Sequence, residues 1–137
     1  MYHKMGKLVP FLLFFLLLTG CQGKPLPQGM EEEALLAHGR EVAVLLAGGK
    51  YEDVLDRMRD DVSSAVSVEE IQNLVLAQTD GAGVYKQISS AMVTGQSAQG
   101  EEFGVAVIYC DYSKDNVLFR LAFDGDYALI GMEVKRQ

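Results

Sequence analysis

Cys21 is the residue whose spacing prescribes chemistry most directly. It closes the run Leu18-Thr19-Gly20-Cys21. Ahead of it lies an apolar stretch, Leu8 to Leu18, which follows Lys4 and Lys7, and no acidic residue precedes the cysteine. A thiol sulfur is the nucleophile that can take a diacylglycerol group as a thioether. Thr19 and Gly20 are small, as a peptidase cutting just before Cys21 requires. A second constellation is weaker. Tyr109 and Asp111 stand two apart in an apolar strand pattern, so their side chains share a face. Tyr85 on a neighbouring strand and Tyr51 complete a candidate pocket. An aspartate buried beside a tyrosine can act as a general base. The simpler account is that Asp111 ends a strand before a polar turn.

The Cys21 pattern resembles a bacterial lipoprotein signal peptide with its lipobox. The apolar run from 8 to 18 is short of the roughly 20 residues a membrane-spanning helix needs. Pro10 near its start also disfavours a spanning helix. The resemblance implies that residues 1–20 are removed and Cys21 is acylated. The chain would then be held on the extracytoplasmic face of the cell membrane.

Other reactive types carry less. His38 is the only histidine after Cys21 and falls on the apolar face of a helix, where packing or an interface accounts for it. No second His or Cys gives it metal-ligand spacing, so no metal is expected. Asp111, Ser113 and Asp115 hint at a calcium loop. Counted from Asp111, however, the sixth position is Asn116 where Gly is needed, and the twelfth is Ala122 where Glu is needed. Gly48-Gly49 follows a helix, where it is a stop signal and no phosphate loop, so no cofactor is expected. With Cys21 acylated, Cys110 has no intrachain partner and reads as a buried small hydrophobe.

Charge narrows the partners. The chain of 137 residues has 12 basic and 19 acidic residues. Removing Lys4 and Lys7 leaves ten basic residues against the same nineteen acids, a formal charge of −9. Such a domain does not suit nucleic acid or anionic headgroups. A lipid tether, not surface charge, would hold it at a membrane.

The positioning elements follow from periodicity. Residues 21–30 read as the lipidated Cys and a Pro- and Gly-containing extended spacer. A helix begins near Glu31, with three glutamates at its positive end and Leu35, His38, Val42, Leu45 and Leu46 on one face, and stops at Gly48-Gly49. Tyr51, Val54, Leu55, Met58 and Val62 predict a second, short helix. Ser67-Val68-Glu69-Glu70 is a capping box opening a third, with Ile71, Leu74 and Val75 on its apolar face. Strands are predicted over 83–93, 103–112, 117–123 and 127–134, with a loop at 96–100 and a tight hairpin at Asp124-Gly125-Asp126. Helices followed by a meander give an α+β layer architecture, about three helices on an antiparallel sheet of about four strands. Val117, Phe119, Leu121 and Phe123 alternate onto one face. The other is expected to carry Ala106, Ile108, Cys110, Leu118, Arg120, Ala122 and Leu129. That is more apolar than a solvated face needs, so it is a homodimer interface or the surface for an envelope protein partner. Ile108, Leu118, Arg120 and Leu129 are its candidate contacts.

The stretch Gly49-Lys50-Tyr51-Glu52-Asp53-Val54, the capped helix from Ser67, and Gly83-Val84-Tyr85-Lys86-Gln87-Ile88 before hydrophobic strands resemble the DUF3887 family. The resemblance spans about residues 31–135. It implies an NTF2-like (cystatin-like) fold, with helices packed in the curve of an antiparallel sheet. It assigns no activity, so it brings no functional residues. This chain has no Trp, which many members carry in the third helix. The combined expectation is a non-catalytic, lipid-anchored binding module over 31–137, or alternatively a small-molecule-binding or weakly enzymatic pocket protein.

Overall fold

The computed structural model describes residues 24–137. The signal run and Cys21 lie outside the described residues. Helix α1 spans Glu32–Ala47 and buries Leu35, Gly39, Val42, Ala43 and Leu46, one stripe at helical spacing. It ends as its sequence demands. Gly49 takes φ 75°, its N–H donates to Leu46 O at 3.2 Å, and Lys50 N–H donates to Leu45 O at 2.9 Å. These two bonds satisfy carbonyls that a helix end otherwise leaves open.

The predicted second helix is two. α2 covers Tyr51–Asp56 and α3 covers Asp60–Ser63. Between them the backbone turns to the sheet. Leu129 N–H donates to Arg57 O at 2.9 Å, and Arg59 N–H donates to Leu129 O at 3.0 Å. An open strand edge thus wins these residues from the helix. The apolar stripe survives the break, with Val54, Met58 and Val62 still buried. Helix α4, Val68–Thr79, opens on the predicted capping box: Glu70 N–H donates to Ser67 Oγ at 3.1 Å and Ser67 N–H to Glu70 Oε1 at 2.8 Å. It buries Ile71 and Val75, while Leu74 stays largely exposed.

Four strands follow: β1 Tyr85–Ala98, β2 Glu101–Tyr112, β3 Asn116–Phe123 and β4 Leu129–Arg136. They form one antiparallel sheet in sequence order. β1 runs five residues past its predicted end. The turn is Gln99-Gly100 alone, both at positive φ, as a twisted two-residue hairpin requires. β4 starts later than predicted, because Asp124 Oδ1 accepts from Asp126 N–H and Ala128 N–H and holds 124–128 as a loop.

Pairing assigns the faces. Gly104, Ala106, Ile108 and Cys110 stand opposite Phe123, Leu121, Phe119 and Val117, and all of these look toward α1. A Cβ on Gly39 would meet Ala106 and Ile108, and one on Gly104 would meet Leu35 and Met30. The opposite, outer face carries Val105, Val107 and Tyr109 against Ala122, Arg120 and Leu118. Two expected interface residues are therefore corrected. Ile108 lies beneath α1 with no exposure. Leu129 is fully buried at a bulge, where Ala122 pairs with Gly131 but Phe123 pairs with Leu129. Ala106 and Cys110 move to the helix side with Ile108. β2 is apolar on both faces, so alternation alone could not tell which side meets the helices.

Residues 24–30 are also not a free spacer. Lys24 N–H donates to Thr94 Oγ1 at 3.0 Å, and Gly95 N–H donates to Lys24 O at 2.9 Å. Pro25 lies against Gly95 where a side chain would collide, and Met30 is buried beside Gly104.

Candidate functional site

The four pocket candidates split between the two sides of the sheet. Tyr51 opens α2 and Tyr85 opens β1, and both line a cleft of about 590 Å³. The ends of α1 (Leu46 to Gly49) and α4 (Val75 to Asp80) form its walls, with Val84 and Lys114 at the strand end. Tyr112, which sequence reading left out, is the third aromatic. It stands opposite Tyr85 in register, and the two rings meet edge-on with centroids 5.7 Å apart. They meet at the open end of the β1–β2 hairpin, far from its turn, so no local spacing marks Tyr112.

Tyr109 and Asp111 are elsewhere. Both belong to the outer face, where Tyr109 stands opposite Leu118 and Asp111 opposite Asn116. Asp111 Oδ2 accepts from Gln87 Nε2 at 3.1 Å. Asp111 therefore does not sit among the cleft tyrosines, and the carboxylate that lines their cleft is Asp80. Burial raises the Tyr51 and Tyr85 phenols above their ordinary range. Tyr112 is pushed up to about 12, by burial first and then by Cys110, Tyr85 and Tyr51. The three phenols are neutral at physiological pH. They can donate and accept hydrogen bonds and offer ring faces, but cannot act as bases.

The remaining candidates are structural. Burial, with Asp111 adjacent, pushes the Cys110 thiol up to about 12, so it is not a nucleophile at neutral pH. His38 stacks on Tyr127, with ring centroids 5.0 Å apart and planes 7° from parallel. Tyr127 in turn accepts from Glu31 N–H through its hydroxyl at 2.8 Å. Ser113 Oγ accepts from Val84 N–H at 2.9 Å, and Asp115 faces Arg136 at 3.7 Å. Their side chains are thus committed to a turn. Among the described residues no three His, Cys, Asp or Glu side chains converge as a metal site.

Two charged groupings emerge only in three dimensions. Arg59 donates to Asp61 at 2.8 Å, to Glu101 at 2.6 Å and to Asp124 at 3.3 Å. It ties α3 to the β1–β2 turn and to the β3–β4 loop, and it holds the Asp61 carboxyl below its usual range. On the outer face Arg120 Nε lies 3.3 Å from Glu133 Oε1, with side chains only 17% and 12% exposed. Among the described residues neither atom has a hydrogen-bond partner of good geometry, and the same holds for Gln96 Oε1. Burial holds the Glu133 carboxyl above its usual range despite Arg120.

A family described as protein of unknown function, DUF3887, matches residues 40–132. The chain belongs to the DUF3887 family. Within this DUF3887 domain lie the tyrosine cleft and most of the outer sheet face. An NMR structure of a protein from Ruminococcus gnavus ATCC 29149 superposes with a TM-score of 0.68, at 24% identity, over 80% of this chain and 96% of that one. That likeness shows a shared fold. No curated protein matches the chain. Among the described residues no helix is long and apolar enough to cross a membrane.

Proposed function

We propose that this DUF3887 protein is a lipid-anchored, extracytoplasmic binding module of the NTF2-like (cystatin-like) type, without catalytic chemistry of its own. Cys21 is the acylated residue, residues 1–20 are the cleaved signal, and the partner is a protein, either a second copy or an envelope component. The observation that carries this reading is the outer sheet face. Val105, Val107, Leu118 and Ala122 surround the Arg120–Glu133 pair there, while α1 packs on the other side. That side of the sheet is apolar like the helix-packed side, its Val105, Val107, Leu118 and Ala122 are buried, and a sheet apolar on both faces is stable only with both kept from water. The lipobox supports the anchor. The formal charge of −9 after cleavage argues against nucleic acid.

Labelling cells with a clickable fatty acid tests the anchor. Wild type incorporates the label and Cys21→Ala does not. Label retained by Cys21→Ala overturns the anchor.

A second reading rests on the cleft. Tyr51, Tyr85 and Tyr112 line a space within the 300–1,000 Å³ range of small-molecule sites, roughly, and Asp80, Lys114 and the phenols are the polar groups that would orient a ligand. An enzymatic version with Asp111 as base is abandoned, because Asp111 lies across the sheet. Ligand-induced shifts of the Tyr51, Tyr85 and Tyr112 ring signals, in an NMR screen of small molecules, would support the binding version. Shifts confined to other residues would reject it.

A further inference from the structure

We infer that the tyrosine cleft binds a zwitterion with an apolar body, an amino acid or short peptide carrying a free ammonium and a free carboxylate. This deepens the cleft reading above and rests on it.

The walls call for an apolar body. Leu76 and Val84 line the cleft at 43% and 72% exposure, and Val84 is the most exposed large apolar side chain among the described residues. Single exposed hydrophobics are ordinary on a flat surface. Here two of them share a concavity with three tyrosine rings, which is the make-up of a ligand site. Tyr112 is buried, and its ring stands at 73° to that of Tyr85. Aromatic walls of this kind attract an ammonium through their ring faces. Helices α1 and α4 both end at the cleft, and a helix C-terminus favours a cation.

The charges call for both signs. Asp80 and Lys114 line the same cleft. Among the described residues neither side chain has an ion-pair or hydrogen-bond partner. The nearby opposite charges are engaged elsewhere. Arg136 Nη1 donates to the main-chain oxygen of Asp80 at 2.9 Å, and the Arg136 guanidinium faces Asp115 at 3.7 Å. A simple amine would suit Asp80 but be repelled by Lys114, and a simple acid would meet the reverse. One molecule with both charges satisfies both. The phenols, which burial keeps uncharged at neutral pH, add hydrogen bonds without opposing either end.

The two anchors stand on a braced backbone. Lys114 N–H donates to Ala82 O at 2.8 Å, Ala82 N–H to Thr79 O at 2.9 Å, and Asp80 N–H to Leu76 O at 2.9 Å. Ala82 is fully buried. The β2–β3 turn is thus strapped to the end of α4 before any ligand arrives, which lowers the ordering cost of binding. The volume of about 590 Å³ admits a free amino acid or a short peptide.

The test titrates the full chain in detergent, with ring-labelled tyrosine, using L-phenylalanine and the dipeptide phenylalanyl-leucine to separate the two sources. Each probe is also supplied N-acetylated, C-amidated and blocked at both ends. Saturable NMR shifts are expected at Tyr51, Tyr85 and Tyr112, with Tyr109 and Tyr127 unmoved. Blocking either end should weaken binding about threefold to fivefold, the scale of exposed ion pairs. Asp80→Asn should weaken the free probe by that factor and leave the N-acetylated one unchanged. Lys114→Gln should weaken the free probe likewise and leave the amidated one unchanged. Circular dichroism checks that both variants are folded. Doubly blocked probes that bind the cleft as tightly as free ones overturn the zwitterion and leave the cleft reading standing. So do folded variants that affect free and blocked probes alike. If neither probe shifts the three rings, the inference falls, and the small-molecule screen alone decides the cleft reading. Screen hits at those rings retain it, and shifts confined to other residues remove it.

Discussion

A methyl group on Gly39 would stand 2.5 Å from the Cβ of Ala106, with Ile108 Cδ1 at 3.3 Å. Helix α1 therefore rests its backbone almost directly on β2. That contact decides which face of the sheet is core and which is left outward. Gly39→Ala is expected to destabilise the fold by about 1–3 kcal/mol, because overpacking outweighs the helix propensity gained. Urea unfolding measures it. An unchanged midpoint would mean that α1 shifts freely over the strand.

Gly95 gives the arm its seat. Any side chain there collides with the Pro25 carbonyl, so Gly95→Ala should lift residues 24–27 off β1 while the core stays folded. The Gly95 amide, which bonds Lys24 O, should lose hydrogen-exchange protection. Protection equal to wild type would show that the arm is not held by this contact.

Arg59 serves three carboxylates at once. Arg59→Ala should lower stability by about 1–2 kcal/mol at low ionic strength, a figure discounted for partial exposure, and salt should narrow the gap. Acid titration adds a signature. The Asp61 carboxyl lies below its ordinary 3.8 because of Arg59. Its contribution is present above that pH and is lost as pH falls through the lower folded value. In Arg59→Ala that acid-side slope should flatten, and a slope matching wild type would count against the pair.

Cys110 titrates in the other direction. The ordinary thiol value is 9.0 and the folded one about 12, so the unfolded chain ionises first. Stability should fall as pH rises between those values, and Cys110→Ala should lose that slope. At pH 8 a thiol reagent should modify the native protein only as fast as it unfolds. Rapid modification of the folded state would contradict the burial.

Local signals were legible where a few neighbouring residues decide the outcome. The Ser67–Glu70 box and the Gly48-Gly49 stop work through bonds within a turn, and both appear as read. The 51–62 segment was legible in its stripe but not in its break, since the bonds that break it come from Leu129. Tyr51 and Tyr85 line one cleft. Tyr109 and Asp111 lie across the sheet from it, because parity along a strand is counted from pairing partners that lie far away in the chain. Tyr112 was missed for the same reason, and Arg59 because its carboxylates come from three separate segments.

By itself the chain determined a strand meander after helices and the caps and turns that separate them. Those are properties of composition and of spacings shorter than a turn or two. Only the tertiary structure decided that Ile108 and Leu129 are core, that Arg120 and Glu133 share the outward face, and that residues 24–30 lie on the domain. Each of those depends on which face of an apolar strand α1 covers. β2 is apolar on both faces, and the tie was broken by the one close approach that Gly39 allows.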